Sequence, residues 1–280
     1  MVDLHAHSTA SDGSYSPSRV VELAHERGLS ALSLTDHDTV SGLAEASARA
    51  GELDVAFVPG IELDIEWKPG ECHLLGYGIK APYPVLGPLL VKLIESRKER
   101  NREIAARMNE AGITVDLARI EELAGGGTVG RPHFAQYLVE TKAVRNRQQA
   151  FDRYLAKDRP YYVERKSVRL DEGIAAIEAS GGIPVLAHPL SLYVSWGHMK
   201  EVLVKFRDIG IRGIEAWHPG ARIVECERLE ALARELGLFV TAGSDFHGEA
   251  RPERRLGRTA GRRDIDDRFY RDSLEGLIAR

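Results

Sequence analysis

Two rhythms of apolar residues alternate along most of the chain. Short apolar runs at Val2–His7, Ala31–Leu34, Val55–Val58, His73–Tyr77, Ile183–Ala187, Gly213–Trp217 and Leu238–Ala242 predict strands. Between them lie stretches with helical apolar spacing. Ser16-Pro17 reads as an N-cap with proline at the first helical position, followed by Val20, Val21, Leu23 and Ala24 and closed by Gly28. Further helices are predicted over 41–50, 170–181, Met199–Ile209 and Arg222–Leu236, with a last one from about Asp264. Strand, polar strand end, helix, repeated, predicts a parallel βα architecture, open or closed.

The middle third departs from this rhythm. A long helical pattern runs from about Pro84 to Gly112, and Gly125-Gly126-Gly127 then breaks the chain. Arg131-Pro132-His133 opens another helix, and 146–157 reads as one more, with no strand pattern between Val115 and Tyr161. A helical insertion over 96–165, set inside a barrel domain formed by 1–95 and 166–280, accounts for this.

Functional groups in parallel βα folds collect at the carboxyl ends of strands. The predicted ends carry Asp3-Leu4-His5-Ala6-His7 with Asp12 close behind, Thr35-Asp36-His37-Asp38, Gly60-Ile61-Glu62, Glu71-Cys72-His73, Ala187-His188-Pro189 and Ser244-Asp245-Phe246-His247. His5 and His7 project from one face of their strand. Six of the ten histidines fall at such ends, whereas His25 and His198 fall on helices. Those six, with Asp12, Glu62 and Asp245, are too many ligands for one ion and suit two or three held close together. The mixed nitrogen and oxygen set fits Mn²⁺, Fe²⁺ or Zn²⁺; so much imidazole disfavours Mg²⁺. Cys72 alternates away from His73 and is assigned to the core. Clustered ions acidify water and neutralise a phosphate, so metal-assisted phosphoester hydrolysis is the expected reaction class. Amide hydrolysis or deamination is the competitor; it suits one or two ions and needs no phosphate-binding arginines.

Charge then narrows the substrate. A net charge of −4 argues against a broad nucleic-acid surface. The locally basic runs Arg97–Arg102 and Arg251–Arg263 suit a pocket for a small phosphorylated ligand, or else a solvated surface. Arg97 and Arg100 share a helix face, and Arg131 and His133 stand at a helix start, where backbone N–H groups favour anions. These four are the expected substrate contacts, and His218, at another strand end, is left unassigned. No apolar run of membrane-spanning length, no basic-then-apolar leader and only two cysteines predict a cytoplasmic enzyme, with no membrane association and no obligate protein partner indicated.

In order along the chain, the strand-end motifs resemble those of the PHP (polymerase and histidinol phosphatase) family throughout the βα portion. The resemblance implies an α/β fold, a distorted (β/α)7 TIM-like barrel. It implies one ion held by His5, His7, Glu62 and Asp245, a second by Glu62, His73 and His188, and a third by Asp12, His37 and His247. A hydroxide bridging the ions, held through Glu62, Asp12, His37 and His247, would be the nucleophile. Two or three divalent ions per chain are expected, Mn²⁺ first and Fe²⁺, Zn²⁺ or Mg²⁺ as alternatives. Gly130–Ala135, Ala150–Leu155 and Arg159–Val163 resemble a subgroup containing 3′,5′-nucleoside bisphosphate phosphatases and 5′→3′ exoribonucleases of short RNA. That implies a nucleoside 3′,5′-bisphosphate or a short 5′-phosphorylated oligoribonucleotide as substrate. The alternatives are a small-metabolite phosphatase of the histidinol-phosphate type and a non-catalytic binding module. The full ligand set speaks against the second.

Overall fold

Seven strands follow one another around a single sheet in a computed structural model that describes residues 1–125, 127–164 and 167–276. They are β1 (Val2–Ala6), β2 (Ala31–Leu34), β3 (Ala56–Ile65), β4 (Cys72–Tyr77), β5 (Ile183–Leu186), β6 (Gly213–Trp217) and β7 (Phe239–Ala242). The segment after β7 returns to β1: His7 donates its backbone N–H to Phe246 at 2.8 Å, and Ala6 bridges Phe246 in parallel. The sheet thereby nearly closes into a barrel, as the (β/α)7 reading expects. Helices α1 (Pro17–Glu26), α2 (Leu43–Leu53), α7 (Leu170–Ala179), α8 (Trp196–Ile209) and α9 (Ile223–Glu235) connect the strands.

The all-parallel expectation needs correction. β4 pairs antiparallel with both β3 and β5. A parallel crossover needs a dozen or more residues, and only residues 66–71 join β3 to β4. β3 also runs on through Pro59-Gly60 to Ile65, so Glu62 lies within a strand rather than after one. Because β4 points the other way, its first residues lie on the rim where the parallel strands end. His73 thus arrives beside Asp64 and His188 from the opposite chain direction.

Helix α3 (Leu86–Glu110) belongs to two cores. Its first turns bury Leu86, Leu90 and Leu93 against the barrel. Its last turns bury Ile104, Ala105 and Met108 against Ile120, Phe134, Leu138 and Leu155 of the inserted region. Arg97 and Arg100 sit on the stretch between. The insertion adds α4 (Leu117–Leu123), α5 (Arg131–Glu140) and α6 (Arg147–Ala150), which widens into a π-type turn over Phe151–Leu155, shorter than the expected 146–157. Among the described residues no strand lies between Val115 and Tyr161. The expected barrel boundary at 165 and 166, and Gly126 of the glycine break, lie outside the described residues.

The expected C-terminal helix from Asp264 is reduced to α10 (Arg268–Tyr270) and a wide turn to Glu275. Ile265 is already engaged in extended pairing, its N–H with Gly257 and its carbonyl with Val2, which excludes helical geometry there. Residues 277–280 lie outside the described set. Among the described residues no helix is long and apolar enough to cross a membrane.

Candidate metal centre and its flanking cavities

Glu62 is the hub of the carboxyl-side rim. Its Oε1 lies 2.9 Å from His73 Nδ1 and 3.1 Å from His188 Nε2. Its Oε2 lies 3.3 Å from both His5 Nε2 and His7 Nε2, and 3.1 Å from His37 Nδ1. Asp245 Oδ1 faces His7 Nε2 at 3.2 Å and His5 Nε2 at 3.6 Å, and Asp12 Oδ1 faces His247 Nε2 at 3.2 Å. All nine residues singled out by the sequence come together. Their donor atoms form four overlapping groups, each within 4.8 Å: His7, Asp12, His37 and His247; His5, His7 and Asp245; His5, Glu62 and His188; His37, Glu62 and His73. His7 belongs to two of these groups, between Asp245 and the Asp12 side.

The donor set fits cations. His5 Nδ1 lies 3.0 Å from Glu215 Oε1, which assigns the proton to Nδ1 and leaves the Nε2 lone pair facing His7 Nε2 at 3.1 Å. His247 Nδ1 donates to the Asp245 carbonyl at 2.8 Å, so its buried Nε2, without a hydrogen-bond partner, turns its lone pair on the Asp12 carboxylate. Lone pairs aimed at each other and at carboxylates repel unless a cation or a proton stands between them. Without an ion, protons take that place unevenly. Burial opposes the charge on His7, but bonds to Asp245 and Glu62 lift it to about 9. His73 is lifted to about 9 against burial by Glu62. At His37 burial prevails over Glu62 and Asp12, and its pKa falls to about 3. Burial would raise Glu62, Asp12 and Asp245, yet the surrounding imidazoles hold each well below the usual carboxylate range. Clusters suited to more than one ion are therefore present.

Several supporting groups escaped the sequence reading. Glu215, fully buried in β6, binds His5 Nδ1 through Oε1 and accepts the His188 backbone N–H through Oε2 at 3.0 Å. Asp64 takes His73 Nε2 at 2.7 Å, and Ser191 meets His188 Nδ1 at 3.0 Å. Arg254 and Arg251, from the basic run Arg251–Arg263, reach Asp245 Oδ2 at 2.6 and 3.3 Å, and His218 Nε2 lies 3.3 Å from the same oxygen. A signal for Glu215 existed: an acid inside an otherwise apolar strand. The backbone also marks the site, because Asp38, His188 and Asp245 adopt φ of 53°, 23° and 49°, a costly conformation for non-glycine residues. Partners that orient metal-binding imidazoles are worth about 10–100-fold in affinity or activity. Glu215→Gln is expected to cost that much in both, read by metal titration and by kcat. An unchanged metal affinity would show that His5 needs no such positioning.

A cavity of about 920 Å³ opens beside the cluster on the insertion side, lined by Asp12, His37, His73, Arg97, Arg100, Arg131 and Tyr162 among others. Of the expected substrate contacts, Arg97 is buried and paired with Asp38 at 2.5 Å. Arg100 is buried, hydrogen-bonded to Asn101 Oδ1, and makes no ion pair among the described residues. Arg131 lies over the Tyr162 ring at 5.1 Å and donates to the Leu155 carbonyl. His133 accepts the Gly130 N–H at 3.0 Å, closing the start of α5, and does not line the cavity. A second cavity of about 500 Å³, on the His188 and His218 side, shares His37, Glu71, His73 and Arg251 with the first. Cys72 is buried and its thiol pushed up to about 12 by burial, in keeping with a core role.

Comparison with known proteins points to one family. The PHP domain family model matches residues 3–155. A 5′-3′ exoribonuclease from Haemophilus influenzae is 35% identical over 245 residues, covering 88% of this chain and 89% of that one. A 3′,5′-nucleoside bisphosphate phosphatase from Chromobacterium violaceum is 32% identical over 280 residues, covering 100% and 98%. A solved amidohydrolase from Chromobacterium violaceum, with bound sulfate and no metal, superposes with a TM-score of 0.84 at 31% identity, covering 95% of this chain and 92% of that one. With its barrel, its rim of imidazoles and carboxylates and these relatives, the chain belongs to the PHP domain family and is a metal-dependent phosphoesterase.

Proposed function

We propose that this enzyme hydrolyses the 3′-phosphoester of nucleoside 3′,5′-bisphosphates, giving the 5′-monophosphate and phosphate, and cuts short 5′-phosphorylated RNA from its 5′ end at the same bond. The observation that carries the reading is the trio Arg97, Arg100 and Arg131 sharing one cavity with His37, His73 and Asp12. Burial and the neighbouring charges of Arg97 and Arg131 push Arg100 down to about 9. A phosphate dianion among the three would relieve that repulsion, and guanidinium groups suit it by bidentate bonding. Since Arg97 is already tied to Asp38, the anchoring falls mainly on Arg100 and Arg131. The relatives support one chemistry for both substrates, because either can be cleaved at the P–O3′ bond next to a 5′-phosphorylated nucleotide.

The ligand set would hold two or three divalent ions, Mn²⁺ first among them, through His5, His7, Glu62 and Asp245, through Glu62, His73 and His188, and through Asp12, His37 and His247. When bound, such ions supply acidified water near neutral pH and offset charge on the phosphoryl group. The protein's own groups do the rest. Glu215 and Asp64 fix imidazole orientation, Arg100 and Arg131 fix the distant 5′-phosphate, and Arg251 and Arg254 place positive charge beside Asp245. In the reaction a water oxygen bonds to phosphorus. The P–O3′ bond breaks with its electron pair, and O3′ takes up a proton to leave as the alcohol.

The test compares a nucleoside 3′,5′-bisphosphate with its 3′-monophosphate. A charged hydrogen bond contributes about 1.5–3 kcal/mol, so Arg131→Ala is expected to lower kcat/KM on the bisphosphate by about 10–100-fold and to leave the monophosphate nearly unaffected. Equal wild-type rates on the two would remove the anchor. Activity on histidinol phosphate with none on nucleotides would put the small-metabolite reading in its place.

A further inference from the structure

The second cavity has no part in anchoring the 5′-phosphate, yet it reaches the same ligand cluster. Its wall includes Glu62, His188 and Asp245, and its lip carries Tyr193. Tyr193 is 75% exposed, a large ring left in solvent five residues beyond His188. A lone exposed aromatic is common. The turn that carries this one is tied down. The turn Pro189–Leu192 leads into it, Leu192 is fully buried, and the Leu192 carbonyl accepts the Trp67 indole N–H at 3.0 Å. Ser191 Oγ further ties the turn to the Glu71 carbonyl at 2.9 Å. A ring on a fixed turn loses little freedom when a planar group stacks on it. The cavity's volume of about 500 Å³ falls within the roughly 300–1,000 Å³ usual for small-ligand sites.

The two cavities flank the cluster, and a substrate spanning both must have its reacting phosphorus at their junction, beside His37 and His73. With the 5′-phosphorylated nucleotide among the insertion arginines, that nucleotide carries the departing O3′. The group on the far side of the phosphorus is then esterified through a retained oxygen. In a bisphosphate nothing is there. In an oligoribonucleotide it is the next nucleoside. We propose that the second cavity is the subsite for this second nucleoside, with its base stacked on Tyr193. The inference rests on the substrate reading given above and adds where the continuing RNA chain lies. Base–aromatic stacking is sequence-tolerant, so the subsite accepts any base.

Three substrates decide it: a nucleoside 3′,5′-bisphosphate, a 5′-phosphorylated diribonucleotide, and the same dinucleotide with an abasic second ribose. Tyr193→Ala is expected to lower kcat/KM about 10-fold on the dinucleotide, in line with one lost stack. It should leave the bisphosphate and the abasic substrate unchanged, and Tyr193→Trp should retain dinucleotide activity. No loss on the dinucleotide, or an equal loss on all three, overturns the subsite. A wild-type enzyme that cleaves the bisphosphate but no dinucleotide overturns it too, with the bisphosphate reading intact. A wild-type enzyme that cleaves neither removes that reading and the subsite together.

Discussion

Glu62→Gln is expected to reduce phosphoester hydrolysis by at least about 10³-fold, in keeping with the several kcal/mol that clustered cations contribute to such reactions. One carboxylate meets five imidazoles, with Oε1 toward His73 and His188 and Oε2 toward His5, His7 and His37. Glutamine keeps the shape but removes the negative charge, and its amide nitrogen must face two or three ring nitrogens. The charge matters because Glu62 is held ionised against complete burial by those rings. Metal content after dialysis should fall along with activity. By contrast, exposed Glu52→Gln on α2 should change neither. Full metal content with lost activity would mean that Glu62 acts on the substrate rather than through the ligand cluster. Retained activity would sink the hub assignment altogether.

How legible this centre was depends on what kind of constraint each residue obeys. The nine rim residues were readable because strand ends followed by histidine or a carboxylate recur too often for chance, and imidazole has few reasons to gather in a barrel mouth. The β3–β4 hairpin was less legible. The run Val55–Val58 reads as complete, since the apolar pattern breaks at Pro59-Gly60 although the backbone pairing runs on to Ile65. Asp64 was missed for the same reason: it reads as loop until Glu62 is known to be mid-strand. Glu215 carried a signal, an acid inside an otherwise apolar strand, and Asp3 stood in the opening motif, but their partners lie 210 and 241 residues away, so neither role could be read locally. Arg251 and Arg254 could be read only as charge, because nothing local says that a basic run after the last strand folds back onto Asp245.

Asp3→Ala is expected to destabilise the fold by at least about 3 kcal/mol, the second large effect and one that separates scaffold from chemistry. Asp3 is fully buried at the start of β1. Its Oδ1 accepts the backbone N–H groups of Ser244 at 3.0 Å and His5 at 3.2 Å. Its Oδ2 accepts the Gly257 N–H at 2.7 Å and the Ser244 hydroxyl. One side chain thus fastens the first strand to the loop after the last, next to the seam where Ala6 bridges Phe246. Burial pushes its carboxyl up to about 6 although those four bonds pull it down, so near neutrality the ionised form persists because the donors surround it. Alanine leaves at least three buried donors without an acceptor, each costing about 1–3 kcal/mol. For a chain of this size the melting temperature should drop by about 6 °C or more. Asp3→Asn, with one acceptor oxygen left, should fall between wild type and alanine. Because Ser244 precedes Asp245 and His5 itself belongs to the proposed ligand set, metal affinity should weaken even well below the melting temperature. A loss under about 1 kcal/mol would show that water replaces the carboxylate at the seam, and that the barrel closes through its backbone bridge alone.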